Sequence, residues 1–168
     1  MVSISIKNEL KKFLNNHEKI AILGIGNELR EDDNVGPYII EELKKCFEKN
    51  DFDQNSVVFI NAGSVPENFT GLIKKEKPSH LLIIDAVLMD CEPGAIKFVK
   101  KEEIANVNVS THSLSLNFLI RYLEKFLSLD LLFIGVQPLK MSLGNNLSEE
   151  VKKSADELIS IILSLLIS

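Results

Sequence analysis

In the 168-residue chain, Asp33 and His112 lie in polar stretches that come after apolar runs, and Asp85 stands at the end of an apolar run. Asp33 ends the loop Gly24-Ile-Gly-Asn-Glu-Leu-Arg-Glu-Asp-Asp33, Asp85 lies in His80-Leu-Leu-Ile-Ile-Asp-Ala86, and His112 lies in Ser110-Thr-His-Ser113 ahead of an apolar periodic segment. Two aspartates projecting into one crevice repel each other and need a cation or a shared proton. A neutral imidazole beside them completes a ligand set that divalent zinc or nickel accepts with positions left open. A helix N-terminus at His112 favours that neutral form. Singly, each residue has a plainer use: Asp33 as a cap of the helix containing Pro37, Asp85 as an acceptor of backbone N–H groups, His112 as a surface or hydrogen-bonded residue.

The remaining polar groups at predicted strand ends are Asn27, Gly63 and Gln137, candidates for binding a substrate backbone or for shaping turns. Gly24-Ile-Gly26 invites a dinucleotide reading, but Leu29 occupies the third glycine position and strand two ends at Asn61 instead of an acidic residue, so no nucleotide is expected. The chain contains no G-x-S-x-G elbow, H-E-x-x-H motif or P-loop. Cys91, in Asp90-Cys-Glu-Pro-Gly94, has no basic neighbour in sequence to lower its pKa, and Cys46 falls on the apolar side of a helix. His17 and His80 read as structural.

The elements that must position these groups follow a strand-helix rhythm. Residues 3–16 carry Ile6, Leu10, Phe13 and Leu14 at helical spacing. Lys19–Gly24, Val57–Ile60, His80–Ala86, Ala95–Val99 and Leu131–Val136 read as strands. Short runs that are apolar on both faces suit a buried parallel sheet. Helices are expected after Pro37 (Tyr38, Ile39, Leu43, Phe47), over Pro66–Lys75, from Leu114 to Phe126 and from Val151 to Leu166. The link Val87–Gly94 is shorter than a parallel crossover needs, so the fourth strand is expected to be antiparallel. The result is an α/β fold: a three-layer α/β/α arrangement with a five-stranded mixed, mostly parallel sheet.

Composition excludes several classes. Hydrophobic residues make up 45% and charged residues 26%, which argues for a packed domain and against disorder or coiled coil. Lys and Arg number 19 against 24 Asp and Glu, a net charge of -5, the wrong sign for a nucleic-acid surface. Two isolated cysteines suggest neither a disulfide framework nor a thiolate zinc site, and a reducing cytoplasm fits. The N-terminus lacks a signal-peptide pattern, and the serine-interrupted run Leu158–Ile167 is shorter than the roughly 20 residues a membrane span needs. A single cytoplasmic domain over 1–168, with a helical extension at 1–17, no membrane insertion and a monomeric state, is expected.

These residues resemble the hydrogenase maturation endopeptidases, which trim the C-terminal extension from the large-subunit precursor of nickel-iron hydrogenases. The resemblance rests on Gly24-Ile-Gly-Asn27, Asp32-Asp33 with Gly36, Gly63-Ser-Val-Pro-Glu-Asn68, Leu82-Ile-Ile-Asp-Ala86, Pro93-Gly94, Thr111-His112 and Gly135-Val-Gln-Pro138, in that order across residues 19 to 140. Gly63–Asn68 is most similar to the formate-hydrogenlyase branch. The resemblance implies a phosphorylase/hydrolase-like fold with strand five between strands three and four. It places the family's metal-contacting trio on Asp33, Asp85 and His112, with Asp32 as the competing position for the first ligand. It further implies an aspartic-type endopeptidase whose nickel is carried by the substrate precursor. A nickel-binding chaperone without hydrolysis and a small metallohydrolase with its own zinc are the alternatives.

Overall fold

A computed structural model describes residues 2–104 and 112–168. Ser110 and Thr111, part of the expected site motif, lie outside the described residues. In chain order the elements are α1 (Val2–Phe13), β1 (Ile20–Ile25), α2 (Val35–Lys49), β2 (Val57–Gly63), α3 (Thr70–Glu76), β3 (His80–Ala86), β4 (Ile96–Lys100), α4 (Lys101–Ile104), α5 (Ser113–Glu124), β5 (Asp130–Val136) and α6 (Glu149–Leu166). Two 3-10 turns, Glu31–Asn34 and Pro66–Phe69, precede α2 and α3.

The five strands form one sheet in the order β2-β1-β3-β5-β4. β1 pairs in parallel with β2 and β3, and β3 with β5, while β4 runs antiparallel to β5. The 87–95 link is too short for a parallel crossover, and β4 lies at the sheet edge beyond β5, running in the reversed direction. Every residue of β1 and β3 is buried, because helices cover both faces of the sheet.

The alternation along β3 assigns the faces. Leu82 and Ile84 join Ile39, Leu43, Phe47 and Leu158 under α1, α2 and α6. Leu81 and Ile83 join Ile73, Leu119, Leu123 and Phe133 under α3 and α5. Asp85 continues the second series, so its carboxylate leaves the sheet on the side of α5, where His112 stands. α1 is less separate than the label extension implies: Ile6, Leu10 and Leu14 are buried in the first cluster, and α1 packs against α6.

α2 begins in unusually close contact with the sheet. A Cβ on Gly36 would lie 2.4 Å from the Ile25 carbonyl oxygen and 2.6 Å from that of Ile84. One on Gly24 would lie 2.4 Å from the Gly36 carbonyl oxygen. The two glycines therefore let the backbones of β1 and α2 meet, which fixes the height of the preceding turn and of Asp33 within it.

Candidate active site

The loop after β1 folds back on itself. Gly26 has φ +151, and a Cβ there would fall 1.8 Å from the Asp33 carbonyl oxygen. The backbone N–H of Asn27 donates to Asp33 Oδ2 at 3.1 Å, the Asn27 side-chain oxygen accepts from the Leu29 N–H at 2.9 Å, and the Arg30 N–H donates to the Asn27 carbonyl at 3.1 Å. Asp33 does not cap α2: the cap position belongs to Asn34, whose side chain makes no capping bond.

Asp32 and Asp33 point to different tasks. Asp32 is fully buried and accepts from the N–H groups of Leu139, Lys140 and Ser148 and from the Ser148 hydroxyl, at 2.7–2.9 Å. It ties the 3-10 turn to the segment after β5. Asp33, 4% exposed, turns to His112. The choice between the two aspartates that the sequence leaves open is made by this clamp.

His112 bridges the two carboxylates. Its Nδ1 lies 3.3 Å from Asp85 Oδ2 and its Nε2 lies 4.0 Å from Asp33 Oδ2. One ligand atom from each of the three residues falls within 4.8 Å of the others. Asp85 is fully buried at the end of β3, and His112 precedes the first turn of α5. Asp33 Oδ1 is buried without a hydrogen-bond partner among the described residues. An orphaned carboxylate oxygen beside an imidazole and a second carboxylate fits a divalent ion of borderline softness.

In the metal-free protein the surrounding carboxylates work against the neutral imidazole that a helix start favours. Burial pushes the His112 pKa down, but the hydrogen bond and charge of Asp85, with the charges of Asp33 and Glu67, outweigh it and raise the value above the ordinary 6.5.

Asn27, Arg30, Asp33, Ser64, His112 and Met141 line a cleft of about 320 Å³. Asp85 forms no part of its wall and stands behind the imidazole. Gly63, with φ +55, accepts the Gly26 N–H at 2.8 Å and leaves open space where a side chain would be. Gln137 is turned inward: its Oε1 accepts from the Met89 N–H at 2.6 Å and the Cys91 N–H at 3.4 Å, while its amide donates to the Pro138 carbonyl. It holds the 89–91 loop and does not line the cleft.

Arg30, Ser64 and Met141 were not singled out by residue type. Ser64 lies within the motif that follows strand two. Arg30 and Met141 reach the cleft because Arg30 Nε donates to the Met141 carbonyl at 3.1 Å across two loops, a pairing with no local signature. Larger depressions of about 430 and 550 Å³ elsewhere are lined by none of the trio. His80 is buried with Nδ1 2.9 Å from Ser79 Oγ and its ring edge-on to Phe13, a packed structural histidine. Cys46 and Cys91 are free and half-buried, so Cys46 is less enclosed than its helical position suggests.

A family model described as HycI, hydrogenase maturation protease, matches residues 37–165. A Methanocaldococcus jannaschii protein, provisionally named a hydrogenase maturation protease, is 41% identical over 163 residues, covering 96% of each chain. The hydrogenase 3 maturation protease of Escherichia coli K12 is 33% identical over 119 residues, 70% of this chain and 72% of that one. The crystal structure of the [NiFe] hydrogenase maturation protease HycI from Thermococcus kodakarensis superposes with a TM-score of 0.85 at 29% identity, covering 95% of this chain and 99% of that one. By sequence and by architecture, the chain belongs to the hydrogenase maturation protease family and is a peptidase of the HycI type.

Proposed function

We propose that this chain is a cytoplasmic, monomeric endopeptidase that removes the C-terminal extension of a nickel-iron hydrogenase large-subunit precursor after nickel has been inserted. The observation that carries the reading is the convergence of Asp33 from the turn before α2, Asp85 from the end of β3 and His112 from the start of α5 beside one small cleft. The nickel belongs to the precursor; Asp33 and His112 contact it when the precursor docks, with Asp85 behind the imidazole.

The burial pattern divides the work. Asp85 is enclosed and holds the His112 ring by Nδ1, so its part is to orient the imidazole. Asp33 faces the cleft with an unpartnered oxygen and is placed to take a proton from the attacking water. The water oxygen bonds to the scissile carbonyl carbon, the substrate's nickel polarises the carbonyl or the water, and the proton held by Asp33 passes to the departing nitrogen as the C–N bond breaks. Asn27 lines the cleft, and Gly63, with open space in place of a side chain, leaves room at the same edge for the substrate backbone. Gln137 serves this edge from behind, by fixing the 89–91 loop.

Asp33→Asn, Asp85→Asn and His112→Ala, each incubated with nickel-loaded precursor, test the assignment. Loss of a general base costs about 10²- to 10⁴-fold in rate. Each variant is expected to leave the precursor uncut at times when wild type has finished. Wild-type cleavage by any of them removes that residue from the mechanism. Binding of the precursor by wild type without cleavage favours the chaperone.

A further inference from the structure

We infer that the solvent face of α5 docks the folded body of the hydrogenase large-subunit precursor, an inference that rests on the processing reaction proposed above. Leu114 is 86% exposed, Phe118 59% and Phe126 49%, with half-buried Tyr122 between the last two. A spacing of four places them on one flank, running about 18 Å at about 1.5 Å per residue. The Tyr122 and Phe126 rings stack at 5.0 Å, and the ridge continues just past the end of α5.

The core does not require Leu114, Phe118 or Phe126, while Tyr122 packs partly against it. Leu116, Leu119, Ile120 and Leu123 already fill the buried face of α5. A surface helix normally presents polar residues on its other face, and contiguous exposed apolar surface marks an interaction site. The ridge widens sideways: α3 packs on α5, carrying Leu72 at 39% exposure, and Lys74 sits over the Phe126 ring.

Its position selects the occupant. Leu114 lies in the first turn of α5, two residues and about 3 Å of helix rise beyond His112 of the cleft wall, so the ridge begins close to the cleft. A cleft of about 320 Å³ admits a short stretch of extended chain, whereas recognition between folded proteins takes about 800 Å² from each partner. A precursor whose C-terminal segment enters the cleft necessarily lays its body on the surface around the mouth. A second copy of this chain seated on the ridge would obstruct that entry.

The test measures initial cleavage rates against concentration of nickel-loaded precursor for wild type, Leu114→Glu, Phe118→Glu and the control Ile4→Glu, an exposed apolar site on α1. Each ridge variant is expected to raise KM about tenfold, about 1.4 kcal/mol, with kcat near wild type and an unchanged melting temperature. Ile4→Glu should match wild type. Leu114, the more exposed, carries the test if Phe118→Glu melts early. Wild-type KM in the ridge variants, a fall in kcat alone, or an equal effect from Ile4→Glu overturns the docking surface while leaving the processing reaction intact. So does a wild-type dimer in sedimentation that Phe118→Glu dissociates. Failure of wild type to cut the precursor overturns the processing reaction itself, and the docking inference with it.

Discussion

His112 Nδ1 lies 3.3 Å from Asp85 Oδ2, although 27 positions separate the two residues in the chain, and the other ring nitrogen faces Asp33 at 4.0 Å. The imidazole is thus held between carboxylates delivered by β3 and by the turn before α2. The protein binds a proton at His112 more tightly than an unfolded chain does, so a divalent ion arriving at the trio competes with that proton.

The first prediction follows from this competition. In the metal-free protein the His112 ring should titrate above the ordinary histidine value of 6.5, and in Asp85→Asn it should fall, measured by NMR of the imidazole signals. Because the folded value is raised, the contribution to stability is fully present below the unfolded value and is lost as pH rises through the folded one. Melting temperatures of wild type minus Asp85→Asn should therefore shrink from pH 6 toward the folded value and level off above it. A His112 that titrates below 6.5 contradicts the electrostatic account.

The two adjacent aspartates should respond in opposite ways. Asp32→Ala removes a fully buried carboxylate and strands three part-buried backbone donors and a hydroxyl, and at the lower end of about 1–3 kcal/mol for each such group it should cost several kcal/mol. At about 2–4 °C per kcal/mol for a chain of this size, the melting temperature should drop by roughly 10 °C. Asp33→Asn should melt near wild type and lose processing. Equal melting temperatures for the two variants would reject the division of labour.

How far the sequence could be read depends on which physical signal was involved. The buried runs His80–Ala86 and Leu131–Val136 declare parallel strands by composition, and the brevity of the 87–95 link declares β4 antiparallel. The convergence of Asp33 and Asp85 is legible because the ends of the parallel strands β1 and β3 share an edge, whereas His112 comes to that edge at the start of α5, β4 being antiparallel and ending at the opposite one. The partition between Asp32 and Asp33 is not, since neighbours in a 3-10 turn point a third of a turn apart and only the arrival of Leu139, Lys140 and Ser148 decides which is clamped away from the cleft. The inward turn of Gln137 is hidden for the same reason, as its partners Met89 and Cys91 belong to a loop without periodicity. The burial of α1 could not be inferred from the helix alone, because its amphipathic face finds α6 from the far end of the chain.

Gly36→Ala should both destabilise the protein and slow processing. A methyl group 2.4 Å from the Ile25 carbonyl and 2.6 Å from that of Ile84 forces α2 away from the sheet, and Asp33 travels with it. Overpacking of this kind costs about 1–3 kcal/mol, read as a lower melting temperature, with a fall in kcat measured on the folded fraction. A folded fraction with wild-type kcat would show that the glycine contact does not set the position of Asp33.

Metal content separates a protease that reads its substrate's ion from a metallohydrolase. The purified protein should hold far less than one nickel or zinc per chain by elemental analysis, and dialysis against a chelator should leave its activity on nickel-loaded precursor intact once the chelator is removed. One tightly held ion per chain, with activity lost on its removal and restored by its return, would assign the metal to the protease.

The central claim is tested most directly by offering wild-type protein the same precursor in two forms, nickel-loaded and nickel-free, and following the loss of the C-terminal extension by mass. Two carboxylates sharing a proton need no metal, so the comparison also distinguishes an aspartic dyad formed by Asp33 and Asp85. The account predicts cleavage of the loaded precursor and none of the empty one, even after long incubation. Free nickel or zinc added to protease and empty precursor should not restore the full rate. Efficient cleavage of the nickel-free precursor in the presence of a chelator would contradict it.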